Sequence, residues 1–349
     1  MVKLGLLDHL AAGPVICAEG YLFELERRGY LQAGAYVPEV VLDFPEQVEN
    51  LHRDFLRAGS DVIEAFTYYA HREKLRLIDR ERDLELINRT ALAIAKKVAA
   101  EGDALVAGNI SNTNIFQPGD TEANRQVRAM FEEQVGWAAE AGVDYIIAET
   151  IPWVGEAEIA LDVMKHAKLP TVVTFALHRE GLLRDGFTPV EAAKRLADQG
   201  ADVVGLNCAR GPRTMLPLVK EIRAAVKTHV AALPVPYRTT PEEPTFQSLT
   251  ERDAQCARCI PDGRPFPVAL DPFQASRYEI ADFGREAFGA NIRYLGVCCG
   301  AGPHHIRALA EALGRRPPAS RFSPDMSKHY ALGTDPRLKP ENREYAARL

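Results

Sequence analysis

Five segments of the chain share one hydrophobic pattern. In each, a stretch with helical character ends at a small residue, usually glycine, and a short run of apolar residues follows. A glycine that ends a helix directly before a buried strand is typical of this pattern. Three further apolar runs, at 14–20, 170–177 and 229–235, raise the number of predicted strands to eight. The five segments are 58–66, 101–110, 141–150, 199–208 and 289–300.

The stretches between these strands have helical periodicity. In residues 45–59, for example, apolar residues fall at helical spacing, at Val48, Leu51, Phe55 and Leu56. The strands themselves are short and do not alternate, as a parallel sheet covered on both faces requires. Eight such strands alternating with helices predict an α/β fold, a (β/α)8 TIM barrel. The alternative is an open doubly wound sheet, but no GxGxxG turn follows the first strand, so its dinucleotide-binding form is not expected.

Two segments do not fit the repeating pattern. The Pro-rich stretch 234–272 follows the seventh strand and is too long for an ordinary connection, and loops of this length are usually functional or flexible. After residue 315 the chain becomes polar and is interrupted by prolines. We therefore expect a barrel domain over 1–315 and a C-terminal extension over 316–349. This extension is either a surface tail or an arm that packs on another subunit of a homo-oligomer.

Composition and charge narrow the classes of function. The 349 residues are 46% hydrophobic and 26% charged, which is typical of a globular protein with a sizeable core. With 42 basic and 48 acidic residues and no sustained basic run, the net charge of −6 argues against nucleic acid as a partner. No apolar run approaches the roughly 18 residues of a membrane span, so no membrane partner is expected. The first residues make a poor signal peptide, and six cysteines then favour a reducing, cytoplasmic location over a disulfide framework.

Three of the six cysteines follow predicted strands. Cys208 comes at the end of the sixth strand, and Cys298 and Cys299 come at the end of the eighth. In a (β/α)8 barrel the carboxyl ends of the strands form the mouth that holds the active site, so we expect these thiols to converge there. Three soft thiolates with an open fourth position suit catalytic zinc. For any single cysteine the alternative is a small buried hydrophobic residue.

The other cysteines give weaker signals. Cys256 and Cys259 form a CxxC inside the Pro-rich stretch, and this spacing allows half of a structural zinc site. No second pair lies nearby, and Cys17 belongs to the first strand, so we expect two incidental thiols. His304 and His305 follow Pro303 at the start of the last predicted helix, where surface or capping residues are expected.

The cysteine pattern resembles that of a known family. GLNC at 205–208 together with GVCCG at 296–300 looks like the zinc signature of the homocysteine S-methyltransferase family. Much of the remaining chain looks like the betaine–homocysteine S-methyltransferase branch of that family. The stretches that carry this resemblance are 23–39, 52–70, 101–108 and 296–313.

The resemblance implies a cofactor and a reaction. It makes Cys208, Cys298 and Cys299 the ligands of a Zn2+ ion, with the sulfur of homocysteine as the fourth ligand. A thiol bound to zinc is deprotonated, which makes it a strong nucleophile at neutral pH. The thiolate would then attack a methyl group carried by a cationic onium centre. A homo-oligomer is also expected from the resemblance.

The resemblance also implies substrate contacts. Relatives that use betaine supply aromatic contacts to the cationic donor at the positions of Tyr36, Tyr68 and Tyr69. The alternative for the FTYY sequence at 66–69 is buried core at the end of a strand. Glu149 matches the carboxylate that holds the amino group of homocysteine, although a structural ion pair is an alternative role. Asn207, beside Cys208, belongs to the same set of predicted binding residues.

The chain departs from the pattern of this branch at several positions. The first strand ends in Ala18-Glu19-Gly20 where the branch has Asp-Gly-Gly, so an anchoring carboxylate is lost or moved by one residue. Glu19 and Gly20 are still predicted to bind substrate. Ala65 stands in place of a threonine. Thr150 replaces an aromatic residue, and the ETIP motif that contains it looks more like relatives that use S-methylmethionine. These changes leave the zinc ligands intact and concern the substrates.

Three hypotheses follow from the sequence. The first is a zinc-dependent enzyme that transfers a methyl group from betaine, or a similar onium donor, to homocysteine and gives methionine. The second keeps zinc and homocysteine but takes a sulfonium donor such as S-methylmethionine. The third is a non-catalytic protein with structural zinc that binds a quaternary ammonium solute.

Overall fold

The eight predicted strands close into one barrel. The computed structural model describes residues 4–253, 255, 258, 260–322 and 325–348. Consecutive strands pair in parallel and β8 pairs with β1, so the predicted (β/α)8 TIM barrel is confirmed and the open sheet is wrong. The strands are β1 (Val15–Ala18), β2 (Val62–Glu64), β3 (Leu105–Ser111), β4 (Tyr145–Ile151), β5 (Thr171–Phe175), β6 (Val203–Asn207), β7 (His229–Leu233) and β8 (Tyr294–Val297).

Helices surround the barrel and bury their apolar faces against it. In the helix predicted within 45–59, Val48, Leu51 and Phe55 are buried, and the helix ends at Gly59 with a left-handed φ of 110°. The helices are α1 (Leu6–Ala12), α2 (Tyr21–Arg27), α3 (Val40–Asp43), α4 (Pro45–Ala58), α5 (Arg72–Arg76), α6 (Leu84–Ala99), α7 (Thr121–Ala141), α8 (Val154–His166), α9 (Pro189–Asp198), α10 (Pro212–Ala225), α11 (Arg277–Gly289), α12 (Pro303–Ala312) and α13 (Pro340–Ala346).

The N-terminal end of the barrel is closed by side chains. Leu6 and Leu10 of α1 are fully buried and belong to one cluster with the inward-facing residues of the strands. Within this cluster the hydroxyl groups of Tyr145 and Tyr294 lie 2.8 Å apart, so strands β4 and β8 are linked across the interior. This end of the barrel is therefore packed, and the opposite end, at the carboxyl ends of the strands, is where active sites of this fold lie.

The Pro-rich stretch after β7 is folded over the mouth of the barrel. Tyr237 and Gln274 form an antiparallel bridge near its two ends. Between them Phe246 is buried, and its backbone N–H donates to the carbonyl of Ala209, 2.8 Å away, directly after β6. In the part of the chain that is described here, this long connection is therefore a wall of the mouth. Cys256 and Cys259, predicted as incidental thiols, lie outside the described residues.

The C-terminal extension follows α12 and contains the short helix α13. It exposes several large apolar side chains, namely Phe322, Tyr330, Leu332 and Tyr345. The division into a domain over 1–315 and an arm over 316–349 stays a prediction. Among the described residues, no helix combines the length and apolar character needed to cross a membrane.

Candidate active site

Three thiols from two strand ends lie together at the mouth of the barrel. Cys208 follows β6, Cys298 and Cys299 follow β8, and their sulfur atoms all lie within 4.8 Å of one another. The sulfurs of Cys298 and Cys299 are 3.9 Å apart. Tetrahedral zinc with bonds of about 2.3 Å places two of its sulfur ligands roughly 3.8 Å apart. The spacing and the soft donors of this thiol cluster therefore fit a zinc ion.

The local backbone directs the thiol of Cys208 into this cluster. Cys208 and Ala209 both adopt left-handed conformations, with φ of 55° and 52°, where residues other than glycine are uncommon. The turn is held by a hydrogen bond from the N–H of Cys208 to the carbonyl of Leu233, 2.9 Å away on β7. Strained backbone of this kind often occurs at functional sites.

The thiols share hydrogen bonds that favour one thiolate. The pKa of Cys208 lies well below its usual value because Cys298 and Cys299 donate hydrogen bonds to its sulfur. Burial raises the pKa of Cys298, and the interaction with Cys208 raises the pKa of Cys299. A divalent cation bound to all three sulfurs would displace the remaining protons. The four cysteines within the described residues are free thiols.

A second cluster, of three glutamates, lies beside the thiols. Glu19 follows β1, Glu64 ends β2 and Glu149 lies in β4, and two asparagine side chains connect them. Nδ2 of Asn207 lies 2.9 Å from Oε2 of Glu149 and 3.3 Å from Oε2 of Glu19. Nδ2 of Asn109 lies 2.7 Å from Oε1 of Glu149 and also donates to Oε1 of Glu64. We call these three side chains the carboxylate cluster.

Burial governs the charge of the carboxylate cluster. It raises the pKa of Glu19 and Glu149 well above the usual value, and repulsion from Glu64 adds to this effect. Burial also raises the pKa of Glu64, to about 7. The narrow cavity lined by these carboxylates also touches Cys298 and Cys299, and none of the described residues that line it is basic.

An aromatic cavity of about 200 Å³ also borders the thiol cluster. Cys208 and Cys299 form part of its wall. The imidazole ring of His178 lines it, together with seven phenylalanine, tyrosine and tryptophan rings, those of Phe23, Tyr36, Tyr68, Tyr69, Trp153, Phe246 and Phe266.

The three predicted tyrosines differ in their surroundings within this cavity. Tyr36 has a left-handed φ of 54°, and its buried hydroxyl has no partner among the described residues. The rings of Tyr68 and Tyr69 lie 4.2 Å apart between centroids. Nζ of Lys74 lies 4.0 Å from the ring centre of Tyr69, so the chain itself supplies a cation to this ring. Tyr36 and Tyr68 are therefore better placed than Tyr69 to bind an external cation.

One permanent cation is found among the described residues that line the aromatic cavity. Arg184 follows β5, and its guanidinium carbon lies 5.9 Å from the ring centre of Trp153. Its backbone N–H donates to the carbonyl of Pro152, 2.9 Å away. Glu156 also lines the cavity, but its Oε1 accepts from the backbone N–H of Thr113 at 2.7 Å. The cavity thus combines aromatic rings with one arginine.

Comparison with known proteins identifies the family of the chain. Residues 18–313 match the family model described as homocysteine S-methyltransferase. The chain belongs to the homocysteine S-methyltransferase family. The resemblance seen in the sequence is thus confirmed, and so is the prediction of an S-methyltransferase.

Relatives within this family cover almost the whole chain. Betaine–homocysteine S-methyltransferase 1 of Xenopus tropicalis is 38% identical, and the alignment covers 99% of this chain and 84% of that protein. S-methylmethionine–homocysteine S-methyltransferase of Pongo abelii is 36% identical over 99% of this chain and 91% of its own. The metallated form of the homocysteine methyltransferase MmuM from Escherichia coli has a TM-score of 0.67 at 19% identity, with 87% and 98% of the chains covered. This last similarity concerns the fold.

Two of the predicted residues of this family member have structural surroundings that the sequence did not indicate. A Cβ on Gly20 would lie 2.1 Å from the carbonyl oxygen of Ala301, so glycine allows the turn after β1 to meet the turn after Cys299. Asn207 accepts a hydrogen bond from the N–H of Thr150 at 2.8 Å while its Nδ2 faces the carboxylate cluster. His305, expected as a surface or capping residue, is a capping residue: it is buried, and its Nδ1 accepts from the N–H of Gly302 at the start of α12.

Sequence reasoning missed several residues of this site. Glu64 and Asn109 lie inside predicted strands, and a buried polar residue within an apolar run was the available signal. Arg184, Phe246 and Phe266 come from loops after β5 and β7, and their places in the cavity depend on loop conformation.

Proposed function

We propose that this protein is a zinc-dependent methyltransferase that moves a methyl group from betaine, or a similar onium donor, to the thiolate of homocysteine and gives methionine. One observation carries the proposal. The thiol cluster borders two cavities of different chemistry, one aromatic and one acidic, and Cys299 lines both. A cationic donor suits the aromatic cavity, and an amino thiol suits the acidic one. The names of the relatives support this choice of substrates.

The zinc ion is assigned to Cys208, Cys298 and Cys299. When bound there, it supplies a Lewis acid that keeps a substrate thiol deprotonated at neutral pH. The protein side chains bind and orient the two substrates. Tyr36 and Tyr68 offer ring faces that attract a methylated cation, which is weakly hydrated and cannot donate strong hydrogen bonds. Glu19, Glu149 and Asn207 offer polar groups to the amino acid end of the acceptor.

The reaction itself needs alignment more than acid–base catalysis. An electron pair on the acceptor sulfur forms the new S–CH3 bond, and the pair of the breaking C–N bond stays on the donor nitrogen. The thiolate and the cationic donor thus become a neutral thioether and a tertiary amine, and no proton is transferred. Holding the two reactants in line accounts for much of the acceleration in such a displacement.

The position of Arg184 favours donors that also carry a carboxylate. Tyr36 follows β1 and Arg184 follows β5, and these strands lie opposite each other in a closed barrel of eight. A donor with an onium group at one end and a carboxylate at the other matches this arrangement, and betaine is such a molecule. Arginine binds carboxylates well because its planar group can donate two parallel hydrogen bonds.

A sulfonium donor is the second candidate. Its support is Thr150, where betaine-using relatives carry an aromatic residue. The Thr150 hydroxyl lies 2.9 Å from Nδ2 of Asn207, so a ring is replaced here by a small polar group. One relative is named for S-methylmethionine as its donor.

A donor panel separates these candidates. Zinc-loaded protein is incubated with homocysteine and either betaine, S-methylmethionine or choline, and methionine is measured by mass spectrometry. We expect turnover with betaine and little with choline, which lacks the carboxylate. Turnover with S-methylmethionine alone would support the sulfonium alternative. If no onium donor yields methionine, the proposed function is wrong.

We also propose that the protein forms a homo-oligomer in the cytoplasm. The apolar side chains exposed on the C-terminal extension support an interface, and reduced cysteines suit a reducing compartment. Light scattering at micromolar concentration tests the first point, and a monomer would contradict it. Cell fractionation tests the second.

A further inference from the structure

The carboxylate cluster lacks a counter-charge. Glu19, Glu64 and Glu149 are 6%, 3% and 5% exposed, so water does not screen them effectively. The neutral amides of Asn109 and Asn207 hold them in place. No basic residue is found among the described residues that line their cavity. Buried carboxylates are costly without a partner, which points to a ligand that supplies positive charge or protons.

Unpaired acceptor atoms show what kind of ligand is needed. Oε1 of Glu19 and Oδ1 of Asn109 are buried and have no hydrogen-bond partner among the described residues. Both residues line the narrow cavity, and both atoms accept hydrogen bonds. A group that only donates, such as a primary ammonium, would satisfy them and compensate the charge of the carboxylates.

The distance from the thiol cluster limits the size of this ligand. Carboxylate oxygens of Glu19 and Glu149 lie within 4.8 Å of the sulfur of Cys298. Three carbon atoms between a sulfur and a nitrogen span roughly 5 Å when extended. An acceptor whose sulfur joins the thiol cluster therefore places its own ammonium group among the carboxylates.

Glu64 supplies a carboxylate near the position where the chain lacks an aspartate of the family pattern. Ala18 ends β1 where the family pattern has an aspartate. Glu64 ends the neighbouring strand β2, and one of its oxygens lies within 4.8 Å of a carboxylate oxygen of Glu19. Asn109, on β3, orients Glu64 through its amide group. The missing carboxylate is thus replaced from an adjacent strand.

We propose that Glu64 replaces the carboxylate that is missing at Ala18 and binds the ammonium group of the thiol acceptor beside Glu19 and Glu149, with Asn109 as a positioning residue. The inference rests on the proposed function, in which Glu149 faces the amino group, and adds Glu64 as a residue that determines the preference for an amino thiol. Thiols of the same length without the amine should bind poorly.

The test compares the binding of two thiols to wild type, to one variant and to a control variant. Homocysteine and 4-mercaptobutanoate differ only in the amino group, and their binding to the zinc-loaded protein is measured by calorimetry. We expect wild type to bind homocysteine at least tenfold more tightly, and Glu64→Gln, which removes charge while keeping shape, to lose most of this preference. KM for homocysteine should rise at least tenfold, whereas KM for the donor should stay within twofold. Glu180→Gln, an exposed position on the loop after β5, should behave as wild type.

Each outcome decides the question. Equal binding of the two thiols to wild type, or an unchanged preference in Glu64→Gln, overturns the ammonium site even if methyl transfer occurs. A preference that is lost in Glu64→Gln supports the site even if no donor reacts, in which case only the proposed function fails. A second metal ion per chain that disappears in Glu64→Gln would replace the ammonium by a metal ion and overturn the proposal. If Glu64→Gln does not fold, Glu19→Gln is measured in the same way and must lose the preference.

Discussion

Replacing Cys298 by alanine separates a catalytic zinc site from a structural one. The substitution removes one of three predicted ligands, so we expect the purified variant to contain less than a tenth of the zinc of wild type. The loss of packing is small. Cys298 is 2% exposed, and deleting one buried sulfur costs about 1 kcal/mol, similar to a buried methylene. Cys298 belongs to the larger core cluster, but the cluster that Leu6 and Leu10 form at the N-terminal end of the barrel does not include it.

The expected shift in melting temperature follows from these magnitudes. For a chain of this size, 1 kcal/mol lowers Tm by about 1–2 °C. Loss of an ion present at 100 times its Kd lowers the stability by about 2.7 kcal/mol more. We therefore expect Cys298→Ala to stay folded, to melt several degrees below zinc-loaded wild type, and to show no further decrease when a chelator is added. Calorimetry and metal analysis of the same samples measure both quantities.

A matched control uses another buried cysteine. Cys17 is fully buried and lies 3.6 Å from Oε2 of Glu64, outside the thiol cluster. Cys17→Ala should keep its zinc while losing a similar amount of packing. Full zinc content in Cys298→Ala would refute the assignment of the ligands. A variant that is unfolded at room temperature would instead favour structural zinc and the non-catalytic hypothesis.

Three further predictions concern stability and the donor. His52 is fully buried, neither ring nitrogen has a partner among the described residues, and burial lowers its pKa from 6.5 to about 3. Below pH 6.5 the unfolded chain therefore binds a proton that the folded chain does not, so the contribution of His52 to stability is complete above pH 6.5 and falls by about 1.4 kcal/mol per pH unit towards pH 3. Between pH 7 and pH 5, the free energy of unfolding measured with urea should fall by about 2 kcal/mol less in His52→Leu than in wild type. An equal fall in both proteins contradicts this prediction. A Cβ on Gly296 would lie 2.0 Å from the carbonyl oxygen of Cys17, so Gly296→Ala should lower the free energy of unfolding by about 3 kcal/mol. A Cβ on Gly289 would meet nothing within 4 Å, so the control Gly289→Ala should change this free energy by less than about 1 kcal/mol. Tyr36→Leu should raise KM for the onium donor about fivefold or more through loss of a cation–π contact, while Tyr36→Phe stays near wild type; equal values for both variants would remove Tyr36 from the donor site.

The fold could be predicted from the sequence because its determinants are local. Each strand is a short apolar run, and a run buried on both faces needs no long-range information to be recognised. Gly59 and Gly142 end helices in left-handed conformations, as the pattern of glycines indicated. The alternation of strands and helices then leaves few topologies, since parallel crossovers have one hand.

The site was predictable only where residue type and strand position coincide. The sequence predicted that the thiols of Cys208, Cys298 and Cys299 lie together, because the carboxyl ends of all strands in a barrel form one mouth. The roles of loop residues could not be read in this way. Phe246 reaches the aromatic cavity because its N–H is tied to Ala209, and Arg184 reaches it through a loop held on Pro152. Such contacts join segments far apart in the chain and leave no periodic signal.

The departures at the first strand show why position alone is a weak guide to function. Taken on its own, Ala18 indicates that the chain has lost an anchoring carboxylate. In the folded barrel, β1 and β2 are neighbours, and Glu19 and Glu64 place two carboxylates within 4.8 Å of each other beside that alanine. What a cationic ligand requires is negative charge at a given distance from the thiol cluster, and any adjacent strand end can supply it. A substitution that removes a charged residue in a barrel is therefore best judged against the two strands that flank it.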